Sequence, residues 1–131
     1  MKLRIATFNL ENLDDVPDKS PSLAERITVL RPQLERLNAD VICFQEVHGQ
    51  ETPSQPRRLL ALQELLQNTV YADFHMAYTL TTANEAYDKR NLVTISRYPL
   101  TSVAQYRSEL VHDLVYQKVT AVPPEEAKTV S

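Results

Sequence analysis

Glycine is almost absent from this sequence. The 131 residues include only Gly49, although tight turns commonly need the positive φ angles that glycine adopts at little cost. We therefore expect asparagine and aspartate to occupy the left-handed turn positions, because they tolerate this conformation better than most residues with a side chain. The alternative is that the chain is not a complete domain.

Cysteine and long apolar runs are also scarce. Cys43 is the one cysteine, so no internal disulfide can form, and the apolar run 41–44 around it predicts a small buried thiol. A reducing compartment fits this composition best. No apolar run is long enough to cross a bilayer, and the N-terminus has no hydrophobic region of the signal-peptide kind. A cytoplasmic protein without a transmembrane segment is therefore expected.

The sequence has no excess of positive charge. Its net charge is −3, whereas a nucleic-acid-binding domain usually shows a basic face. A nucleic-acid partner is therefore less expected, although a local basic groove is compatible with this total, and a small phosphorylated substrate fits equally well. The hydrophobic content of 43% and the charged content of 24% are those of an ordinary globular protein, long enough for one domain with a core.

A strand, a helix and a second strand are predicted at the start of the chain. Residues 3–9 are short, apolar-rich and partly alternating, which indicates a strand. Leucine and isoleucine recur at helical spacing over residues 22–37, which begin with a Ser-x-x-Glu capping box, while Pro32 is expected to kink or divide the helix. The nearly unbroken apolar run 41–46 is typical of a strand buried on both faces. The three elements form a βαβ unit.

The remaining pattern is less regular but still indicates an α/β protein. The predicted elements are a helix at 57–68 and strands at 74–81, 92–98 and about 101–107, with loops at 10–21, 49–56 and 83–91. From residue 109 onward the signal is weak.

Two polar residues mark the candidate site. Asn9 and Glu46 end the two strands of the βαβ unit, and ligands bind at the carboxyl ends of strands in open α/β sheets. Neighbouring strands are about 4.8 Å apart, so both side chains can reach one ligand. Carboxylate and amide oxygens suit Mg²⁺, and Glu11 would point into the same crevice. The competing interpretation is that each polar residue simply begins a loop.

Three segments resemble the first three motifs of the endonuclease/exonuclease/phosphatase superfamily. They are residues 5–13 (IATFNLENL), 39–47 (ADVICFQEV) and 90–100 (RNLVTISRYPL). They occur in the family's order with plausible spacing and cover most of the chain. Any one of them has little specificity, whereas the three together are fairly specific.

The resemblance implies a fold, an activity and a set of residue roles. The fold would be a four-layer α/β sandwich, with two mixed sheets face to face and flanking helices. The activity would be Mg²⁺- or Mn²⁺-dependent cleavage of phosphoesters, by a nuclease or by a phosphatase or phosphodiesterase. Glu46 would be the metal-binding carboxylate, Asn9 would hold the scissile phosphate or the attacking water, and Glu11 matches a position that is often acidic near the metal.

Other polar side chains are weaker candidates. His48 would serve the site from close by, but a solvent-facing loop histidine is the more common case. Arg90 and Lys89 would meet a phosphate, although a solvated charge cluster is more usual. Tyr78 is expected to be a packing residue, although the family often presents a tyrosine to the phosphate. His75 and His112 have no convincing partner and are expected to be structural.

The later motifs that the resemblance implies, Gly-Asp-x-Asn and Ser-Asp-His, do not occur in the 131 residues. We therefore expect residues 1–131 to be the N-terminal portion of one domain, inactive alone and exposing an apolar sheet face that favours self-association. The rival hypothesis is a non-catalytic α/β binding or interaction module. The sequence leaves open the oligomeric state and whether the substrate is DNA, RNA, a nucleotide, an inositol phosphate or a phospholipid head group.

Overall fold

The computed structural model describes residues 1–106, 114–120, 122–123 and 125–130. Its two helices are α1 (Leu23–Leu37) and α2 (Leu60–Leu66). Its strands are β1 (Ile5–Leu13), β2 (Val41–Val47), β3 (Gln50–Thr52), β4 (Gln55–Arg58), β5 (His75–Tyr78), β6 (Asn91–Ser96), β7 (Leu114–Tyr116) and β8 (Lys128–Val130).

A mixed four-stranded sheet organises the fold. Its strand order is β1-β2-β6-β5, with β1 parallel to β2 and the other two pairs antiparallel. The predicted βαβ unit is therefore confirmed, since the strands on either side of α1 are parallel neighbours. The α/β class with a mixed sheet and flanking helices is confirmed as well. Two short antiparallel ribbons, β3-β4 and β7-β8, stand apart from this sheet.

The hydrophobic core lies between the two helices and one face of the sheet. Alternate residues of the central strands, such as Ile42 and Phe44 of β2, are buried there against both helices. The capping box starts α1 as predicted, because Ser22 accepts from the backbone of Glu25 and the Glu25 carboxylate accepts from the backbone of Ser22. Pro32 lies within α1 and is exposed, so the expectation that it divides the helix is wrong.

Two side chains, Tyr71 and Arg31, connect α1 to the segment after α2 and to α2 itself. Tyr71 is fully buried, and its hydroxyl donates to the carbonyl of Leu34 at 2.6 Å while it accepts from the backbone of Ala39 at 3.2 Å. Arg31 reaches from α1 to the end of α2, where its guanidinium donates to the carbonyls of Glu64 and Leu65. These bonds satisfy carbonyls near helix ends, which have no partner within their own helix.

The opposite face of the sheet is open to solvent. Ile5 of β1 is 66% exposed and Leu92 of β6 is 58% exposed. Cys43 of β2 also lies on this face and is half-buried, with its sulfur 3.9 Å from the hydroxyl of Thr94. The expectation that residues 41–46 are buried on both faces is therefore wrong for the described structure, because only alternate residues of β2 enter the core.

Two predicted loops contain regular structure. Strand β1 continues to Leu13 through the first four residues of the predicted loop 10–21, so the expectation that Asn9 ends its strand is wrong. The predicted loop 49–56 holds the β3-β4 hairpin, in which Gln50 pairs with Arg58. This pairing takes residues 57 and 58 out of the predicted helix 57–68, so α2 begins only at Leu60.

The strand predicted at about 101–107 is wrong for residues 101–106, and residue 107 lies outside the described residues. The segment is attached to the chain after β5 through the side chain of Gln105, and not through backbone pairing. The amide of Gln105 accepts from the backbone N–H of Leu80 at 2.8 Å and donates to its carbonyl at 3.0 Å. The segment is thus attached next to β5 without forming strand pairing of its own.

Positive φ angles fall mainly on asparagine and aspartate, as predicted. Asn38, the residue that ends α1, is left-handed, and so are Asn68 and Asn84 in turns. Gly49 has no positive φ. It is needed for space, since a Cβ at this position would lie 2.5 Å from the carbonyl oxygen of Tyr87.

Candidate active site

The carboxyl ends of β1 and β2 meet at a bulge. Regular parallel pairing stops after Asn9 and Gln45 and resumes at Leu13 and Val47. Between these two pairs β2 has a single residue, Glu46, whereas β1 has three. Bulges commonly redirect side chains next to active sites. The irregularity therefore falls where the sequence places the candidate site.

Glu11 and Glu46 both lie in this irregular stretch, Glu11 among the three β1 residues and Glu46 as the single β2 residue. Both residues are left-handed, with φ of 48° for Glu11 and 58° for Glu46. In the described part of the chain, Arg90 and Ser102 are the other left-handed residues that are not asparagine or aspartate. Such a conformation costs roughly 1–2 kcal/mol per residue, and strained residues cluster at functional sites. The two predicted carboxylates thus lie on a strained backbone.

The side-chain oxygen of Asn9 is engaged locally. It accepts from the backbone N–H of Glu11 at 2.8 Å, which shapes the start of the bulge. A backbone N–H is only a donor, so the atom facing it must be the amide oxygen. Asn9 is exposed, and its amide nitrogen has no hydrogen-bond partner among the described residues, so its two N–H groups are available as donors.

The carboxylates of Glu46 and Glu11 have no protein partner among the described residues. Glu46 is half-buried and Glu11 is exposed, and neither carboxylate takes part in a hydrogen bond or an ion pair there. From the helix side, Arg26 holds the bulge by donating to the backbone carbonyls of Leu10 and Asn12. The backbone of the bulge is therefore fixed while its carboxylates stay available.

A polar network joins the residues just after the bulge. Nδ1 of His48 lies 3.1 Å from Oδ2 of Asp14, and its Nε2 lies 3.1 Å from Oδ1 of Asn12. The amide of Gln50 donates to the other Asp14 oxygen at 2.9 Å and accepts from the backbone of Ala61 at 2.9 Å. The network thus links the ends of β1 and β2 to the first turn of α2.

The charge of Asp14 is stabilised inside this network. Burial acts to raise the pKa of the carboxyl, but hydrogen bonds from Gln50, from the backbone of Asp15 and from His48 outweigh it. The pKa of Asp14 is therefore lowered from its ordinary value of 3.8. Asp14 stays ionised at neutral pH and serves as an acceptor for its neighbours.

Asn91 attaches the loop before β6 to the end of β2. It is fully buried, and its amide nitrogen donates to the carbonyls of Val47 at 2.9 Å and Tyr87 at 2.8 Å. Its oxygen accepts from the backbone of Tyr87 and from the hydroxyl of Thr79.

The preceding residue, Arg90, is exposed and donates from Nε to Oδ1 of Asn12 at 3.3 Å. The third sequence motif is thereby brought to the bulge.

The expectation of a solvent-facing His48 is wrong. Its side chain is only 12% exposed, because Asp14 and Asn12 enclose it through hydrogen bonds. Tyr78 packs against the core, as expected. His75 is exposed at the start of β5, and His112 lies outside the described residues.

The sequence also gave no indication of four residues of the site. Asn12 and Asn91 lie within the quoted motifs but carry no periodic signal, and Asp14 and Gln50 lie in segments predicted as loops. The available signal is that a polar residue directly follows each strand, Asp14 after β1 and His48 after β2. This signal indicates a contact between the two residues only when the pairing of β1 with β2 is known.

The comparison with protein families identifies the chain. The model of the Endonuclease/Exonuclease/phosphatase family matches residues 6–123. The chain belongs to this family. Family members are hydrolases of the nuclease and phosphatase type and generally use divalent metals. No curated protein matches the sequence, so the family is the level at which similarity is shown.

The oxygen-rich end of this family member is compatible with a divalent metal. Among the described residues no group of three or more histidine, cysteine, aspartate or glutamate side chains forms a protein cage for an ion. Mg²⁺ does not need one, since it keeps several waters and is usually bound through one or two carboxylates. The carboxylate of Glu46, which has no protein partner among the described residues, and that of Glu11 in the same bulge are a donor set of this kind. Within the same residues, no helix is both long and apolar enough to span a membrane.

Proposed function

We propose that this protein is a divalent-metal-dependent phosphoester hydrolase, with Mg²⁺ or Mn²⁺ as its metal and Asn9 and Glu46 in its active site. The observation that carries the proposal is the bulge between β1 and β2. It interrupts the pairing of two adjacent parallel strands directly after Asn9 and at Glu46, whose carboxylate has no protein partner among the described residues. The chain's membership of a phosphoesterase family supports the same activity.

Glu46 is the proposed metal-binding carboxylate, and Glu11 is its partner across the bulge. A metal held there would polarise a phosphoryl oxygen and steady the leaving group. The strained backbone at both positions serves to aim the two side chains, since an unstrained strand would direct successive side chains to alternate faces. His48 and Asp14 support this end of the sheet by joining the residues that follow each strand.

Asn9 is proposed to orient the phosphate by donating hydrogen bonds to it. Its oxygen is already bonded to the backbone of Glu11, so the free part of the amide is the NH₂ group. An NH₂ group suits an anionic phosphoryl oxygen, whereas a metal would require the oxygen. The structure thus favours the phosphate role for Asn9 over a role as a metal ligand.

The substrate class is a phosphoester, and a nucleic acid is one member of this class. The net charge of −3 argues against broad electrostatic attraction to a long polyanion. The negative net charge is more compatible with a phosphoester that is recognised through a few hydrogen-bond donors within the site.

The proposal is tested first by metal binding. Mn²⁺ binding is measured by electron paramagnetic resonance for the wild-type protein, Glu46→Gln and the control Glu35→Gln, which removes an exposed carboxylate on α1. We expect Glu46→Gln alone to lose Mn²⁺ affinity while its unfolding temperature is unchanged, because the substitution keeps the shape and removes the charge. Equal Mn²⁺ affinity in all three proteins would refute the role of Glu46.

Hydrolysis is the second test. A phosphodiester such as bis(4-nitrophenyl) phosphate is incubated with each protein in Mg²⁺ and in Mn²⁺. We expect any turnover to disappear in Glu46→Gln and to persist in Glu35→Gln. If the wild-type protein binds no Mn²⁺, the non-catalytic binding module replaces the hydrolase as the better account. Inactivity alone does not decide between them, because residues 1–131 are expected to be inactive in either case.

A further inference from the structure

Arg90 is held at the bulge in a way that its own contacts do not explain. It is exposed and left-handed, with φ of 59°, a conformation that is costly for an arginine. Its one hydrogen bond among the described residues runs from Nε to Oδ1 of Asn12 at 3.3 Å. An exposed single bond of this length does little to offset the backbone cost. The strain at Arg90 therefore requires another reason.

The position of Arg90 is nevertheless fixed from two sides. Asn91 anchors the loop through four hydrogen bonds at a fully buried position. Gly49 adds a backbone bond to the carbonyl of Asp88 at 3.0 Å. Asn12, which receives the Arg90 bond, is itself held by Nε2 of His48. The bond from Nε to Asn12 leaves the two terminal NH₂ groups of Arg90 without a hydrogen-bond partner among the described residues.

These terminal groups are suited to an anion. They form the planar fork that binds two oxygens of one phosphoryl group. In the described part of the chain, neither NH₂ group has a hydrogen-bond partner. The carboxylate of the polar network, Asp14, is already engaged by His48 and Gln50.

The negative charges of Glu11 and Glu46 favour a positive charge nearby, and Arg90 supplies one. Glu11 and Glu46 place two unpaired carboxylates on the bulge, and these would repel an approaching phosphate. A cation joined to Asn12, the neighbour of Glu11, would offset that repulsion at the bulge.

We infer that Arg90 is a substrate-binding residue that takes a phosphoryl oxygen pair of the phosphoester, with Asn12 and Asn91 as its positioning residues. This inference rests on the proposed function and adds to it the residue that recognises the substrate anion. The left-handed backbone is then the cost of directing the guanidinium to the bulge.

The test uses inorganic phosphate as the probe, in EDTA so that no metal takes part. Binding is followed by isothermal titration calorimetry and by amide shifts in NMR spectra, and unfolding is measured in parallel. The key variant is Arg90→Asn, since asparagine tolerates the left-handed backbone. Ser102→Asn is the matched control, because Ser102 is also left-handed and exposed. Arg36→Gln controls for the loss of one exposed charge on α1.

We expect Arg90→Asn to be as stable as the wild-type protein or more stable, and to lose phosphate affinity by about tenfold, as for a charge-assisted hydrogen bond. Arg90→Lys should recover part of the affinity, because it keeps the charge and loses the fork. Ser102→Asn and Arg36→Gln should bind phosphate normally. Reduced stability of Arg90→Asn with unchanged phosphate affinity would overturn the inference, and so would the absence of phosphate binding by the wild-type protein.

The Mn²⁺ measurement separates this inference from the proposed function. Loss of Mn²⁺ affinity in Glu46→Gln with normal phosphate binding by Arg90→Asn would retain the metal site and refute Arg90. Normal Mn²⁺ affinity in Glu46→Gln with loss of phosphate binding in Arg90→Asn would retain the anion site and refute the metal role.

Discussion

Nδ1 of His48 lies 3.1 Å from Oδ2 of Asp14, so the residue that follows β2 is joined to the residue that follows β1. Both side chains are largely buried, at 12% and 23% exposure. The two strand ends that carry the candidate site are therefore connected through their side chains as well as through the strand pairing. Changes that weaken this contact should alter the stability of the whole region.

Acid should destabilise the protein through Asp14. Its pKa is lowered in the folded state, so its contribution to stability is fully present above the ordinary value of 3.8 and is lost as the pH falls through the folded pKa. Asp14→Asn should lower the stability at pH 7 by about 1 kcal/mol and make the loss below pH 4 less steep. Urea unfolding between pH 3 and pH 7 measures this. The neighbouring Asp15→Asn is the control, and an identical acid profile for both variants would contradict the assignment.

Asn9 has two separable roles, one for each end of its amide. Asn9→Asp keeps the oxygen that accepts from Glu11 and replaces the NH₂ group with a charged oxygen, whereas Asn9→Ala removes both. Asn9→Asp should therefore keep stability within about 0.5 kcal/mol and lose phosphate affinity, while Asn9→Ala should also lose about 1 kcal/mol. Denaturant unfolding and phosphate titration measure the two effects. Phosphate binding by Asn9→Asp at the wild-type level would exclude the donor role.

The local elements were predictable because their signals are local. Helical spacing and the capping box at Ser22 and Glu25 located α1, and the apolar run located β2, each within about two residues. The hairpin β3-β4 was not predicted, because its strands contain Pro56 and charged residues and are short. Hydrophobic periodicity cannot predict strands that pair with each other but bury no side chains.

The candidate site was predictable only in part, for a similar reason. Asn9 is the last β1 residue in regular pairing with β2, and Glu46 is the residue after its neighbour Gln45, so their proximity follows from the sheet order. Their catalytic roles stay predictions. The burial of His48 cannot be predicted from its own segment, because it depends on Asn12 of β1 and on Asp14, which follows β1. Left-handed conformations at Glu11 and Glu46 were missed too, since their residue types do not favour them. Hydrogen bonds between residues that are distant in sequence, and left-handed backbone angles, arise only when the sheet has formed, so they cannot be predicted from local sequence.

The N-terminal cap of α1 should contribute to stability in proportion to its hydrogen bonds. Ser22→Ala removes the acceptor for the backbone of Glu25, at 3.2 Å, and should destabilise the protein by about 1 kcal/mol. Thermal unfolding followed by circular dichroism measures the effect. Ser54→Ala, in the exposed β3-β4 turn, is the control and should change little. Equal stability of Ser22→Ala and wild type would show that the cap makes no net contribution.

Gly49 should tolerate no side chain, because two other segments of the chain pack against it. A Cβ would lie 2.5 Å from the carbonyl oxygen of Tyr87 and 2.8 Å from the side chain of Arg57. The arginine side chain can move, but Tyr87 belongs to the loop that Asn91 anchors, so the backbone contact cannot be relieved locally. Gly49→Ala should therefore cost about 1–3 kcal/mol and push the loop away from the bulge, which should also weaken phosphate binding through Arg90. Urea unfolding and phosphate titration, with Ser54→Ala as the control, measure both effects. Full stability of Gly49→Ala would mean that this loop adapts freely, and the rigid placement of Arg90 would then be wrong.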